Sequence, residues 1–185
     1  VTVKFQDEKA LQVQGTLIAR GISGNQITFT SSNSSPSAGD WGNIHFFDAS
    51  IDAEGVTPAT TSTPASIVNY TSGSILEYAI VEYGGDGSEG AITIDSAAPL
   101  FSNVVSRYNS GPGINVDSAP SSLTITNSTS TYNGIGIKFA GSCNNISISD
   151  NTVTHNTGAG IQNNCSQQLS IARNTISYNG SRGIS

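Results

Sequence analysis

Hydrophobic and polar residues alternate along this chain in short runs, and no stretch shows the 3.6-residue period of an amphipathic helix. Gly, Asn and Ser bound the runs, a pattern that predicts short β-strands joined by tight turns. In the second half, a Leu-x-Ile or Ile-x-Ile segment, an aromatic-Asn pair and a Gly-Ile pair recur in this order about every 23 residues. The recurring pairs begin at Tyr108, Gly113, Tyr132, Gly136, His155, Gly160, Tyr178 and Gly183. Constant order at a constant period predicts one structural unit stacked on itself.

The length of the repeat favours a solenoid with three short strands in each coil. About 23 residues suffice for three strands of three to five residues and their turns, and no unit carries the spacing of leucine-rich repeats. We therefore predict an all-β fold, a right-handed parallel β-helix of about seven to eight coils, with its handedness set by the rule for parallel crossovers. Stacking should place Ile114, Ile137 and Ile161 in one column.

We predict a single domain that covers residues 1–185. Its predicted parts are a first coil and N-terminal cap region (1–38), a coil with a long excursion (39–66) and regular coils (67–185). The excursion, from Asp52 to Ser66, is rich in Thr, Pro and Ala and is too long for a tight turn. Because the sequence opens directly in a strand pattern and stops within a repeat unit, we expect neighbouring domains of a longer chain.

The order Ile-x-Ile, Asn, Tyr-Asn, Gly-Ile resembles the parallel β-helix repeat of pectate lyases, polygalacturonases, alginate epimerases, phage tailspikes and bacterial surface proteins. The segment from Leu11 to Phe46 is similar to the first coils of secreted microbial β-helix proteins, which implies a secreted or cell-surface location. The resemblance covers nearly the whole chain and is specific for the fold. It implies no single activity, because fold and function separate widely among these proteins.

The few charges of the chain are mostly negative, which limits its partners. It has 7 Lys and Arg against 13 Asp and Glu, a formal net charge of −6, so little positive charge is available to neutralise phosphates. We therefore expect no nucleic-acid partner and no attachment to anionic membrane surfaces. No run of 18 apolar residues is present, so we expect no membrane insertion. No motif requires a cofactor.

Two predicted columns of side chains follow from the repeat. Asn residues at one coil step can hydrogen-bond up and down a turn and satisfy its buried backbone, whereas an exposed Asn row would suit sugar recognition. Aromatic residues at one coil step bind sugar rings if they face outward and pack against turns if they do not. The columns are Asn103, Asn127, Asn151 and Asn174, and Tyr108, Tyr132, His155 and Tyr178. No partner for His155 is identifiable, which disfavours a role as general base.

Asp95 and Asp117 form the best candidate carboxylate pair, since each follows the Gly and Ile of its coil and 22 residues separate them. If they stack, their carboxylates stand about 5 Å apart and require a cation, a shared proton or solvent. Such a pair could bind Ca²⁺ or serve a retaining glycosidase, with Glu77 as a further candidate carboxylate. The alternative is a solvated turn.

Cys143 and Cys165 are also separated by 22 residues, which is one coil step. Stacking would bring their Cα atoms to about 5 Å, inside the range of disulfides, so we expect either a disulfide or two stacked thiols. A metal site is disfavoured, because two Cys without a nearby His cannot supply four ligands.

These observations favour an extracellular or cell-surface scaffold or adhesion module, with a polysaccharide or cell-surface glycan as its ligand. The alternative is a polysaccharide lyase or glycoside hydrolase. It is disfavoured because the Gly-His-Gly and Arg-Ile-Lys segments of polygalacturonases and the Asp-Pro-His motif of alginate epimerases are absent. A third hypothesis is ice binding through rows of hydroxyl groups. The rows are Thr124, Thr126, Ser147 and Ser149.

Overall fold

The computed structural model describes residues 1–57, 59–60, 62–65, 67, 69–119, 122–167 and 169–185. Within these ranges the chain forms 19 short strands and no helix, wound into about seven right-handed turns of ~24 residues. In the described part of the chain there is accordingly no helical segment that could cross a bilayer. The predicted all-β, right-handed parallel β-helix is confirmed.

The strands form three parallel sheets, and successive strands of the chain go to successive sheets. Sheet I stacks β1 (Thr2–Phe5), β4 (Ile27–Ser31), β7 (Ala79–Glu82), β10 (Val105–Arg107), β13 (Thr129–Thr131), β16 (Thr152–Thr154) and β19 (Thr175–Ser177). Sheet II stacks β2 (Leu11–Val13), β5 (Ile44–Phe46), β8 (Ile92–Asp95), β11 (Pro112–Ser118), β14 (Ile135–Phe139) and β17 (Ile161–Asn163). Sheet III stacks β3 (Ile18–Arg20), β6 (Ile75–Glu77), β9 (Leu100–Ser102), β12 (Thr124–Thr126), β15 (Ser147–Ser149) and β18 (Ser170–Ala172).

Parallel pairing holds equivalent residues of neighbouring coils in vertical register. Ile114 pairs with Ile137, and Ile137 pairs with Ile161, so the predicted Ile column is confirmed. Alternate residues of a strand point to opposite faces, and one face of each sheet therefore lines the interior. The interior is apolar and receives side chains from all three sheets, among them Ile137, Ile148 and Val153, each at most 1% exposed.

Cys143 and Cys165 form a disulfide between adjacent coils, and their Cα atoms are 5.9 Å apart. Of the two expected arrangements of this pair, the disulfide is the one present. It follows from the same vertical register, since a step of 22 residues brings the two positions to neighbouring coils.

A buried ladder of Asn side chains, the amide ladder, runs along the corner between sheets I and II. Its members are Asn109, Asn133, Asn156 and Asn179. The backbone N–H of Asn109 donates to Asn133 Oδ1 at 3.2 Å, and that of Asn133 donates to Asn156 Oδ1 at 3.0 Å. Asn133 Nδ2 in turn donates to the carbonyl of Ser106 at 3.0 Å. Side-chain oxygens thereby satisfy the N–H groups of the corner, which the strands leave unpaired.

The column predicted as Asn103, Asn127, Asn151 and Asn174 is wrong, because these residues belong to two neighbouring columns. The first column has positive φ throughout and contains Asn103, Asn127, Asp150 and Arg173. The second contains the residues that follow them, namely Val104, Ser128, Asn151 and Asn174. Only the second forms an inward ladder, in which the N–H of Asn151 donates to Asn174 Oδ1 at 2.9 Å. The prediction mixed the two columns because a left-handed corner position accepts Asn but also accepts other residue types, here Asp150 and Arg173.

The Gly of the first three Gly-Ile pairs, Gly113, Gly136 and Gly160, makes room for the amide ladder. A Cβ at Gly160 would lie 2.7 Å from Asn179 Nδ2, and a Cβ at Gly136 would lie 2.9 Å from Asn156 Nδ2. Neither distance is possible for a real side chain. Any larger residue would therefore displace the amide that bonds the neighbouring coil.

Between β5 and β6, the described residues from Glu54 to Ser72 leave the solenoid and form an arm over the outer face of sheet III. An antiparallel bridge between Glu54 and Ser72 closes the base of the arm. Farther out, the N–H of Ala59 donates to Ser147 Oγ at 3.2 Å. This loop corresponds to the predicted excursion, whose predicted last residue, Ser66, lies outside the described residues.

Replacing Asn133 with Ala should destabilise the protein by about 2–4 kcal/mol, because the buried N–H of Asn109 loses its acceptor and the carbonyl of Ser106 loses one hydrogen bond. The matched control is Asn164→Ala, at an exposed position, which should change the free energy of unfolding by less than about 0.5 kcal/mol. Urea unfolding followed by circular dichroism measures both effects. Equal stability of the two variants would contradict the role of the ladder.

Candidate functional site

The corner between sheets I and II carries an exposed stack of rings, which we call the aromatic column. It contains Tyr83, Tyr108, Tyr132, His155 and Tyr178. The ring centroids of Tyr83 and Tyr108 are 5.8 Å apart, and every later neighbouring pair is separated by 5.3 Å. Tyr108 is 39% exposed and Tyr132 is 50% exposed. The four predicted aromatic residues therefore face outward together.

Backbone conformation explains why the rings leave the solenoid at this corner. All five residues of the column have positive φ, between 54° and 61°, a left-handed conformation that costs a non-Gly residue about 1 kcal/mol. The chain turns sharply there, so the ring points outward while the next residue points into the amide ladder. Tyr132 and Asn133 are one such pair, with the Asn only 1% exposed.

Tyr83 is the member of the column that the sequence analysis missed. Gly84 follows it instead of Asn, so the aromatic-Asn marker does not detect it. In the structure the N–H of Gly84 donates to Asn109 Oδ1 at 2.8 Å, which places Gly84 at the first position of the ladder. The spacing of the sequence could have identified Tyr83, because it lies five residues after Tyr78. Both residues have positive φ, and in each later coil two residues of positive φ are separated by the same five-residue step.

The rings of the column cover one another's faces. Interplanar angles lie between 16° and 26°, which together with the 5.3 Å spacing makes each inner ring an offset-stacked partner of two neighbours. Ring edges and polar groups, rather than open faces, therefore meet the solvent. Tyr hydroxyls can both donate and accept hydrogen bonds, so the column presents a repeated row of polar edges.

Sheet I contributes a row of outward side chains beside the column. The row consists of Glu82, Arg107, Thr131, Thr154 and Ser177, which are consecutive partners in the strand pairing. Arg107 Nη2 lies 2.8 Å from Glu82 Oε2, and the guanidinium carbon of Arg107 lies 5.5 Å from the ring centroid of Tyr108. On the later strands of sheet I, the row continues with Thr131, Thr154 and Ser177 and therefore carries only hydroxyl groups.

The opposite edge of sheet I carries an ion pair between Asp150 and Arg173. Arg173 donates through Nε and Nη2 to the two carboxylate oxygens of Asp150, at 2.7 and 2.8 Å. These hydrogen bonds lower the pKa of Asp150 and raise the pKa of Arg173. Arg173 also donates to the carbonyl of Thr60, so the ion pair fastens the arm to the coil.

The stacked carboxylate pair predicted at Asp95 and Asp117 is not formed. The strand partner of Asp95 is Ser118, and Asp117 lies at a register shift between Val116 and Ser118. Asp117 accepts a hydrogen bond from Asn115 Nδ2 at 3.1 Å. The prediction was wrong because it assumed an uninterrupted strand, whereas this irregularity adds one residue to β11.

The third candidate carboxylate, Glu77, lies apart from the other two, at the end of β6 in sheet III. It is 8% exposed, and Arg20 Nε donates to its Oε2 at 2.7 Å. This ion pair occupies the carboxylate that catalysis would need. Among the described residues, no group of three or more His, Cys, Asp or Glu side chains could hold a metal ion.

The hydroxyl rows predicted to contact ice are buried. Exposed fractions are 2% for Thr124, 0% for Thr126, 2% for Ser147 and 0% for Ser149. These side chains lie on the outer face of sheet III, where the arm reaches Ser147 through Ala59. The prediction was wrong because a flat ice surface cannot reach hydroxyl groups that are buried.

A groove of about 650 Å³ lies beside the arm. Its lining residues are Ala59, Ser122, Asn145, Ile146, Ser147, Leu169 and Ser170. None of them is acidic or basic. The groove therefore does not provide the converging carboxylates and cations that polysaccharide cleavage would use.

Residues 60–185, more than half of the chain, match the model of a protein family described as a right handed beta helix region. Comparisons with curated proteins and with solved structures gave no significant match. The matched region contains every strand from β6 to β19 and the whole aromatic column.

Replacing Asp150 with Asn should lower stability at neutral pH but have little effect in acid. Because folding lowers the pKa of Asp150, its carboxylate stabilises the fold above the unfolded value of about 3.9. That contribution is lost as the pH falls through the lowered pKa of the folded state. Urea midpoints of wild type and Asp150→Asn should therefore differ at pH 7 and converge as the pH falls below the lowered pKa of the folded state. Asp95→Asn, at an exposed carboxylate, is the control, and a pH-independent difference for Asp150→Asn would contradict this role.

Proposed function

Because the chain belongs to the right handed beta helix family, we propose that it is an extracellular or cell-surface scaffold and adhesion module that binds glycan along the aromatic column. The observation that carries this proposal is the stack of five aromatic side chains, one in each of five successive coils, of which all but Tyr83 are exposed. Aromatic side chains with a polar tip are well suited to ligands that are partly apolar and partly hydroxylated. A row of them offers such a ligand the same contact repeatedly.

Binding in this proposal is passive and needs no moving part. The amide ladder holds the residue after each ring at a buried position, as Asn133 and Asn156 illustrate with 1% exposure each. Ring orientation is therefore set before a ligand arrives, which reduces the entropy lost on binding. Successive contacts along one polymer then add as linked sites, so individually weak hydrogen bonds can hold a long glycan.

The extracellular location is supported by the disulfide between Cys143 and Cys165. Structural disulfides form and persist mainly in oxidising compartments such as the cell exterior and the periplasm. A bridge between coils also suits a module that must stay rigid without help from other proteins.

Binding is favoured over cleavage by the placement of the charged groups. Asp95 and Asp117 lie on sheet II, whereas Glu77 lies on sheet III and is paired with Arg20 at 2.7 Å. A lyase or hydrolase needs its acidic and basic groups around one bond of the substrate. The aromatic column, in contrast, is continuous and exposed.

A glycan array probed with the purified protein should reveal binding that depends on Tyr132. Tyr132→Ala should weaken binding about tenfold, which corresponds to ~1.4 kcal/mol. Tyr132→Phe keeps the stack but removes the hydroxyl group, so a smaller loss is expected. Tyr78→Phe, at the opposite corner of sheet I, is the matched control and should bind like wild type. The proposal fails if no glycan binds or if Tyr132→Ala binds as well as wild type.

A further inference from the structure

We propose that the glycan bound along the aromatic column is a neutral, extended, β-1,4-linked polysaccharide lying parallel to the solenoid axis. This inference rests on the proposed function and adds the charge, conformation and direction of the ligand. Three observations carry it: the charges beside the column, the repeat distance of the rings and the chemistry of the exposed edges.

The residues that border the middle of the column are uncharged, and Arg182 lies farther along the chain, in a groove that it shares with Ile135 and Gly158. On the side of sheet I, Thr131 and Thr154 border the rings of Tyr132 and His155. On the side of sheet II, the residues two positions after Tyr108, Tyr132 and His155 are Ser110, Gly134 and Thr157. A carboxylate or sulfate group on a sugar would find no permanently charged partner at these positions.

The ion pair between Arg107 and Glu82, at the N-terminal end of the row, does not change the expected preference for neutral glycans. The guanidinium carbon of Arg107 lies 5.5 Å from the ring centroid of Tyr108, and Arg107 Nη2 lies 2.8 Å from Glu82 Oε2. Binding a polyanion there would require breaking this pair or placing two anions side by side. The net charge of −6 over the whole chain adds long-range repulsion of polyanions.

The spacing of the rings selects an extended ligand. Neighbouring ring centroids from Tyr108 to Tyr178 are separated by 5.3 Å, close to the distance between stacked strands, about 4.8 Å. An extended β-1,4-linked pyranose chain advances by a similar distance with each sugar. Each sugar along the axis would therefore meet an equivalent set of groups on the next coil. An α-linked chain that winds into a helix would leave this line after a few sugars.

The chemistry of the exposed edges matches neutral sugars. Tyr and Thr hydroxyl groups both donate and accept hydrogen bonds, as sugar hydroxyls do. The Oγ1 atoms of Thr131 and Thr154 lie 3.4 Å apart, so hydroxyl groups of two adjacent coils meet beside the rings. Because the rings cover one another's faces, recognition uses this continuous row rather than the stacking of one sugar on one ring.

Calorimetric titration of the whole protein with defined oligosaccharides tests the inference. Affinity for β-1,4-linked gluco-oligosaccharides or chito-oligosaccharides should increase with length until the ligand spans the column. Malto-oligosaccharides and oligogalacturonates of the same length should bind at least about tenfold more weakly. Tighter binding of the acidic or the α-linked series would overturn the inference while leaving the proposed function intact. A lack of binding to every glycan would overturn the proposed function itself.

A pair of charge variants tests the location of the ligand. Thr154→Lys places a cation beside the column and should increase oligogalacturonate affinity about fivefold. Thr152→Lys is the matched control, because Thr152 lies on the same strand and the same face, two residues farther from the column. Thermal unfolding checks that both variants fold. Equal oligogalacturonate affinity of the two variants would place the ligand elsewhere and overturn the inference.

Discussion

The structure depends on one constraint, which is that the buried backbone at the corners of the solenoid must find hydrogen-bond partners. Strand pairing ends at each left-handed residue, and the N–H groups beyond it have no strand to bond. The side chain of Asn133 meets the N–H of Asn109 from the next coil, at 3.2 Å. This contact exists only if equivalent residues are vertically aligned. A shift in register would leave buried polar groups unpaired, at a cost of about 1–3 kcal/mol each.

The same constraint generates the surface on which the proposed function acts. At this corner a left-handed residue and the ladder residue are neighbours in sequence, so turning Asn133 inward turns Tyr132 outward. Vertical register then converts one exposed ring in each coil into a continuous stack with 5.3 Å spacing. Structural repetition and ligand recognition thus have a single cause. A long, regular ligand can use such a surface better than a small one, because the surface repeats without forming a pocket.

The sequence predicted those features that depend on the repeat itself, including the strands, the coil length, the Ile column and the positions of Cys143 and Cys165. It failed where a single residue breaks the repeat or where distant segments meet. Asn127 and Asn151 are the same residue type, one repeat length apart in the sequence. In the structure, however, Asp150 occupies the position equivalent to Asn127, because left-handed corners accept several residue types. The irregularity at Asp117 likewise leaves no trace in the hydrophobic pattern. Docking of the arm on sheet III is a long-range contact that local periodicity cannot report.

Vertical register of the coils is tested most directly by disulfide trapping on the outer face of sheet I. Thr129 and Thr152 are strand partners, and neighbouring Cα atoms about 4.8 Å apart lie within the range that a disulfide spans. The variant Thr129→Cys/Thr152→Cys should therefore cross-link readily under mild oxidation, as detected by mass spectrometry. The variant Thr129→Cys/Thr154→Cys, with Cα atoms about 8 Å apart, should not. Efficient cross-linking of the second pair, or none of the first, would contradict the alignment of the coils.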